Sequence, residues 1–286
     1  MDDLRLGALL VLCSAVGFGT LGIFGVVALD AGVSIPAILF LRFALASLIV
    51  WAFLGLRGQL VLLRGRDLAV GFALGAFGYA TMSGFYFLGL EFMTAGMVAI
   101  VLYTYPAFVL VLAATFLGEP IGRRRLLALV AALSGIALIT GADPVAADPR
   151  GVAIVLVAAM VFASYITISR DALHVVTAPT LTAHVMPAAA LSFLVVGLAT
   201  GTLAMPDGPV GWGAVLGIAV VSTAIPVFAF FAGLSRIGAG PAAILSTIEP
   251  VVTVVLGALF LAEPVTAVVV IGGGLVILGA VLVPRR

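Results

Sequence analysis

The stretch GLEFMTAGMVAIVLYTYPAFVLVLAATFLGEP, residues 89–120, returns in altered form as GLSRIGAGPAAILSTIEPVVTVVLGALFLAEP, residues 233–264. The second copy follows the first at an offset of 144 with no gap. Identical pairs along it include Gly89/Gly233, Ala95/Ala239, Gly96/Gly240, Ile100/Ile244, Pro106/Pro250, Phe116/Phe260, Glu119/Glu263 and Pro120/Pro264. The same offset pairs Gly7 with Gly151, Phe18 with Phe162 and Gly135 with Gly279. A chance likeness between apolar segments would not keep Glu-Pro in register at the end of both copies. The chain is therefore read as a duplication, with residues 1–142 and 143–286 as its two units.

Composition decides the solvent in which those units fold. Of 286 residues 64% are hydrophobic and 9% charged, and the mean hydropathy is +1.38. A soluble protein carries about 25% charged residues, so this chain could not cover a water-facing surface and is an all-α integral membrane protein. A membrane helix needs about 20 mostly apolar residues. Cutting at charged, Pro/Gly-rich and polar breaks gives ten spans, near 4–29, 34–56, 68–90, 94–117, 122–141, 151–170, 178–200, 210–235, 240–262 and 265–284. Each unit thus holds five. An odd number makes the second unit enter the membrane from the opposite side, the inverted repeat found in many secondary transporters. The expected fold is two inverted five-helix repeats around a central cavity.

Orientation follows from the arginines. With ten spans and a cytoplasmic N-terminus, Arg5, Arg57, Arg64, Arg66, Arg123, Arg124, Arg125, Arg170, Arg236, Arg285 and Arg286 face the cytoplasm and Arg150 alone faces away. Both termini are expected on the cytoplasmic side of the inner membrane. The N-terminus opens acidic, and its apolar run is too long for a cleavable leader, so it reads as a first span that stays. A net charge of +1 argues against a nucleic-acid partner, and the single Cys13 offers neither a disulfide within the chain nor a cysteine-rich metal site.

No catalytic constellation is visible: there is no phosphate-binding loop, no zinc-type His/Glu pair on one helical turn and no nucleophile elbow. His174 reads as solvated loop. His184, inside span 7, reads as a hydrogen-bonding group rather than a proton relay. Neither enzyme activity, a metal nor a cofactor is expected. Two ionisable groups lie well inside spans, Arg42 and Glu249. Each costs about 2.5–3.5 kcal/mol at a helix centre on insertion scales, so each must face protein or a wet cavity. Glu249 either binds a cation or proton, or shapes and gates the centre of the bundle. Arg42 either joins it in a polar cluster or caps the broken end of another helix. Pro106 and Pro250 are repeat-equivalent and mid-span, and Pro187 and Pro226 interrupt spans 7 and 8. Each removes a backbone hydrogen bond and frees a carbonyl that can line a site. Tyr79 and Tyr86, seven apart, share a helix face. With Tyr103, Phe162, Tyr165 and Phe228 they form the candidate lining for a flat solute, since a mid-membrane tyrosine needs a partner for its hydroxyl.

The pattern LRFALASLIV in span 2, the TAGMVAIVLYTYPAFVLVLAATFLGEP of spans 4 and 5 and the later IEPVVTVVLGALFLAEP resemble the EamA-type drug/metabolite transporter superfamily over essentially the whole chain. The resemblance implies ten helices around a central pocket and alternating access between cytoplasm and exterior. Arg42, Pro106, Glu119, Glu249, Pro250 and Glu263 fall on positions typical of that pattern; Pro120 and Pro264 stand where the family often has a basic residue, at a helix start that tolerates proline. Residues shared by carriers of unlike solutes serve the fold or the conformational cycle, which assigns Arg42, Pro106 and Pro250 to gating and structure. The lining of Tyr79, Tyr86, Tyr103, Phe162, Tyr165 and Phe228 then selects the cargo; Glu249 is a binding candidate in the same lining, but its place in the shared pattern favours shaping or gating the cavity over selecting a solute. The aromatic character of that lining implies export of aromatic or other hydrophobic amino acids, or related metabolites, by a monomer in the lipid bilayer. A lipophilic-cation efflux carrier of the same fold is the alternative, followed by a membrane-embedded enzyme, for which the loops are too short and too poor in His, Asp and Lys.

Overall fold

The computed structural model describes residues 3–117, 122–142, 148–172, 175–237, 242 and 245–282. Among them every regular element is helical and no strand occurs. The ten spans are present as two five-helix repeats. Spans 2 (Ile35–Leu56), 5 (Arg123–Ala142), 6 (Pro149–Ala172), 7 (Ala178–Thr200) and 10 (Ala267–Leu282) are continuous helices. The rest are interrupted, and four of the interruptions obey the repeat. Span 3 runs Gly65–Ala73, then a π-helical segment Leu74–Tyr79, then Ala80–Gly89. Span 8 runs Pro209–Ala219, a π-helical segment Val220–Ala224, then Ile225–Ile237. Span 4 breaks at Tyr103–Thr104 between Ala95–Leu102 and Tyr105–Leu117, and span 9 breaks at the equivalent Thr247–Ile248 before Glu249–Phe260. Span 1 divides at Thr20 into Asp3–Gly19 and Leu21–Asp30.

The repeats interlock. Span 1 packs on span 8, and its mate span 6 packs on span 3. Small residues set how closely they approach. A Cβ at Gly89 would stand 2.4 Å from Val155 Cγ2, and one at the equivalent Gly233 2.6 Å from Val11 Cγ2. Val11 and Val155 are themselves repeat mates, so one steric lock is built twice. Helices in lipid associate through such close packing, because lipid tails are as apolar as leucine. Spans 2 and 7 pair across the middle of the molecule, and spans 5 and 10 pack mainly on each other.

Polarity is turned inward. Phe77, Leu198, Leu259 and Phe260 face out, whereas Ser14, Arg42, Ser83, Thr180, His184, Ser222, Thr223 and Thr253 are buried. Some of these polar groups bond the backbone of interrupted helices, as Thr253 does the Gly19 carbonyl and Thr223 that of Ile218. Pro187 lacks the N–H that would bond the Ala183 carbonyl, and the Trp51 indole N–H donates to that carbonyl at 2.6 Å. His184 Nδ1 lies 2.9 Å from the Thr180 carbonyl, and its Nε2 accepts from the Leu63 N–H at 3.1 Å. With both ring nitrogens engaged, His184 ties span 7 to the approach to span 3.

Candidate functional site

Three helix interruptions meet at one level of the bundle. Pro250 is the second residue of the half-helix Glu249–Phe260, so the carbonyl four residues before it, that of Ser246, has no helical N–H to accept from. The Tyr103 hydroxyl, from the break in span 4, lies 2.7 Å from that carbonyl and 2.9 Å from Glu249 Oε2, with one proton to share between the two. The interruption of one repeat therefore satisfies the interruption of the other. Thr253, one turn into the same half-helix, donates to the carbonyl of Gly19 at 2.9 Å, where span 1 divides. Thr20, at that division, shares a hydrogen bond of 2.6 Å with Ser222 in the π-helical segment of span 8.

Arg42 sits between the two π-helical segments. It is only 3% exposed. Its Nε donates to Thr223 Oγ1 at 3.0 Å, and its guanidinium interacts with the Tyr79 hydroxyl. Thr223 and Tyr79 are repeat mates, so one arginine closes equivalent points of both copies. The ring of Phe43 lies under the guanidinium, 4.9 Å from Cζ to centroid. Glu249 is near enough to act on Arg42 electrostatically, yet among the described residues no carboxylate forms an ion pair with it.

From this polar centre a chain of rings leads away. Tyr103 meets Tyr105 at 5.8 Å between centroids, Tyr105 meets Phe162 at 4.8 Å, and Phe162 stacks on Tyr165 at 6.1 Å. Tyr165 meets Tyr79 at 5.6 Å and Tyr79 meets Phe43 at 5.4 Å, so the chain returns to the residue beside Arg42. Offset and edge-on pairs in this distance range are favourable beyond their burial.

Of the residues expected from sequence, Tyr79, Tyr103, Phe162, Tyr165 and Glu249 fall within this arrangement. The Tyr86 hydroxyl lies 3.2 Å from where a Cβ on Gly22 would stand, within electrostatic reach of Arg42 and Glu249. Phe228 lies elsewhere: its ring packs on Phe53 at 4.3 Å, near the Arg57 end of span 2. Pro106 and Pro250 each stand second in a half-helix, so the expected kinks are complete breaks. Glu119, Pro120 and His174 lie outside the described residues.

Sequence reading passed over Thr223, Ser246, Thr253 and the role of Glu263, and it left Tyr105 out of the candidate lining. Thr223 and Tyr105 had a signal, because the offset places Thr223 opposite Tyr79 and Tyr105 opposite Glu249. Glu263 follows span 9, and its carboxylate accepts from the Ala95 N–H at 2.6 Å and the Gly96 N–H at 3.1 Å. It thereby clamps the N-terminus of span 4, where unpaired N–H groups and the helix dipole favour an anion.

Comparison with known proteins supplies a family. The profile of the EamA-like transporter family matches residues 5–141 and matches again over 149–284. A protein described as an uncharacterized transporter from Archaeoglobus fulgidus is 31% identical over 257 residues, covering 87% of this chain and 88% of its own. The uncharacterized transporter YcbK of Bacillus subtilis is 33% identical over 198 residues, 66% of this chain and 63% of its own. Among solved structures, a crystal structure of a protein 19% identical in sequence shares the fold at a TM-score of 0.70, covering 96% of this chain and 94% of that one.

Proposed function

The chain belongs to the EamA-like transporter family, and from that premise we propose that this multi-pass membrane transporter exports hydrophobic or aromatic amino acids, or metabolites like them, by alternating access. The observation that carries the reading is the contact between the two broken spans, where Tyr103 bridges Ser246 and Glu249 at 2.7 and 2.9 Å. Broken helices that meet at a repeat interface supply both a site and the hinges around it, and rocking one repeat against the other exposes that site to each side in turn. In this reading both termini lie on the cytoplasmic side of the inner membrane, as the arginine bias implies, and the working unit is a monomer.

The cargo follows from the lining. The rings of Tyr105, Phe162, Tyr165 and Tyr79 offer flat apolar contact, and Arg42 and Glu249 offer opposite charges that a zwitterion complements. A lipophilic cation would have to approach a buried, unpaired arginine, which favours the amino acid over the cation. A phenol carries one proton, so Tyr103 serves its two acceptors one at a time unless Glu249 itself carries a proton and donates to the phenol oxygen. That ambiguity makes Glu249 the group through which proton movement couples to the cycle.

Proteoliposomes loaded with unlabelled phenylalanine should accumulate labelled phenylalanine by counterflow, well above protein-free vesicles, and tetraphenylphosphonium at equal concentration should not compete. Counterflow of tetraphenylphosphonium with none of phenylalanine, leucine or tryptophan would sink the amino-acid reading.

A further inference from the structure

The geometry points to a carboxylate-binding subsite at Arg42, closed by the hydroxyls of Ser83 and Tyr86, that grips the acid group of the cargo. The inference rests on the transport reading above and names the end of the solute that the site selects.

Ser83 is the first observation. Ser47, Ser164 and Ser192 all satisfy their hydroxyls on the carbonyl four residues earlier, at 2.5, 3.0 and 3.0 Å, the usual resource of a serine inside a membrane helix. Ser83 does not. It is 1% exposed, and its Oγ has no hydrogen-bond partner among the described residues. A buried hydroxyl left unsatisfied costs about 1–3 kcal/mol, and such a group in a native fold calls for a ligand or a role. Tyr79, Ser83 and Tyr86 are spaced i, i+4, i+7 and form one stripe of span 3. Tyr79 at one end of that stripe packs on Phe43 at 5.4 Å, the ring that lies under the Arg42 guanidinium, and the spacing puts Ser83 on the same helix face one turn along. Tyr86 is 5% exposed and its hydroxyl makes no hydrogen bond among the described residues.

Donors outnumber acceptors here. A guanidinium brings five N–H groups. One is taken by Thr223, whose own hydroxyl donates to the Ile218 carbonyl at 2.8 Å, and a second by the Tyr79 hydroxyl, which leaves three. The hydroxyls of Ser83 and Tyr86 add two more donors. The nearby carboxylate, Glu249, already accepts from Tyr103 and is not ion-paired with Arg42. A fixed cation with convergent, unspent donors is the complement of a carboxylate, whose two oxygens match the guanidinium fork. A phosphate would bring a second negative charge against Glu249 with no second cation to meet it.

The repeat gives an independent argument. The mates of Arg42, Ser83 and Tyr86 are Met186, Val227 and Phe230, all apolar. Tyr79 and Thr223, which hold the guanidinium, are mates of each other and both keep a hydroxyl. Parts that serve the symmetric motion occur in both copies. Parts that recognise one end of an asymmetric solute occur in one, and Arg42, Ser83 and Tyr86 are of that kind.

The test uses the full chain purified in detergent, with 3-phenylpropionate, which keeps the carboxylate and lacks the amine, and phenethylamine, which is the reverse. 3-Phenylpropionate is expected to raise the melting temperature saturably, and phenethylamine to leave it unchanged. Arg42→Gln should abolish the shift. Because that variant removes the clamp between the π-helical segments and can fail to fold, Ser83→Ala is the second arm. It deletes an unpartnered hydroxyl, should fold as well as the parent, and should bind 3-phenylpropionate at least about tenfold more weakly, as expected for a lost hydrogen bond to a charged group. Stabilisation by neither compound, equal stabilisation by both, or wild-type affinity in Ser83→Ala would each overturn the subsite. If 3-phenylpropionate binds as expected and Ser83→Ala weakens it, yet proteoliposomes exchange no amino acid, the subsite stands and the amino-acid export reading falls.

Discussion

At the scale of single residues, Glu249 and Tyr103 are the decisive pair. A lone carboxylate in ILSTIEPVVTVV is conspicuous in sequence, and so is its repeat mate Tyr105. What Glu249 touches is not, because its partner lies 146 residues away and is fixed only when spans 4 and 9 meet. The consequence is measurable. Tyr103→Phe leaves the Ser246 carbonyl without its hydroxyl donor, and a buried acceptor so orphaned costs about 1–3 kcal/mol; thermal unfolding in detergent should show a lower midpoint with no change in helical content. Glu249→Gln keeps an acceptor for Tyr103 and should fold normally. Under proton coupling it should retain phenylalanine counterflow while losing uptake driven by a pH gradient; equal gradient-driven uptake in the variant and the parent would exclude Glu249 as the coupling group. Arg42 shows the other limit of sequence reading. A capping or a clustering role was legible for it, but the unspent donors around it depend on Ser83, which nothing in the sequence singled out.

At the scale of elements, prolines advertise the breaks in spans 4 and 9, and the offset pairs them. The π-helical segment LGAFGY had no such marker, since it holds no proline or charge, whereas VVSTA had one in Pro226, two residues on, which lacks the N–H that the Ser222 carbonyl would accept. Their register is set by packing across repeats, which a hydropathy pattern does not encode. The turn after span 9 gives a sharper test. Ala262 adopts φ 53°, and the Glu263 N–H returns to the Gly257 carbonyl at 3.1 Å, an arrangement that favours glycine at the left-handed position. The left-handed conformation costs a non-glycine residue roughly 1–2 kcal/mol, and the repeat mate of Ala262 is Gly118. Ala262→Gly should therefore raise the unfolding midpoint slightly, whereas Glu263→Gln, which removes the charge from the clamp on span 4, should lower it. The Gly89 and Gly233 locks differ in what they meet: Gly233→Ala should destabilise with no rescue by Val11→Ala, because its Cβ also stands 2.7 Å from the Gly7 carbonyl, whereas Gly89→Ala, whose Cβ meets side chains alone with Val155 Cγ2 nearest at 2.4 Å, should be partly rescued by Val155→Ala.

At the scale of the whole molecule, much was written in the chain. Composition names the solvent, the ungapped offset names the duplication, and five spans per unit name the inversion. The meeting of the broken spans was foreshadowed only as symmetric kinks, and the ring chain only as scattered aromatics, because both arise from contacts between helices distant in sequence. The central claim is that a solute site at these breaks opens to one side of the membrane at a time. Tyr105 lies at the heart of it, between Tyr103 and Phe162. Replacing the single native cysteine, Cys13, by serine leaves Tyr105→Cys as a unique thiol in proteoliposomes of known orientation. Its labelling by a membrane-impermeant thiol reagent added to each side in turn, with and without phenylalanine, is the most direct measurement. The expected result is labelling from either face in alternation, with saturating phenylalanine protecting the thiol from both. A thiol that no reagent reaches from either face, or one that phenylalanine never protects, would contradict the claim.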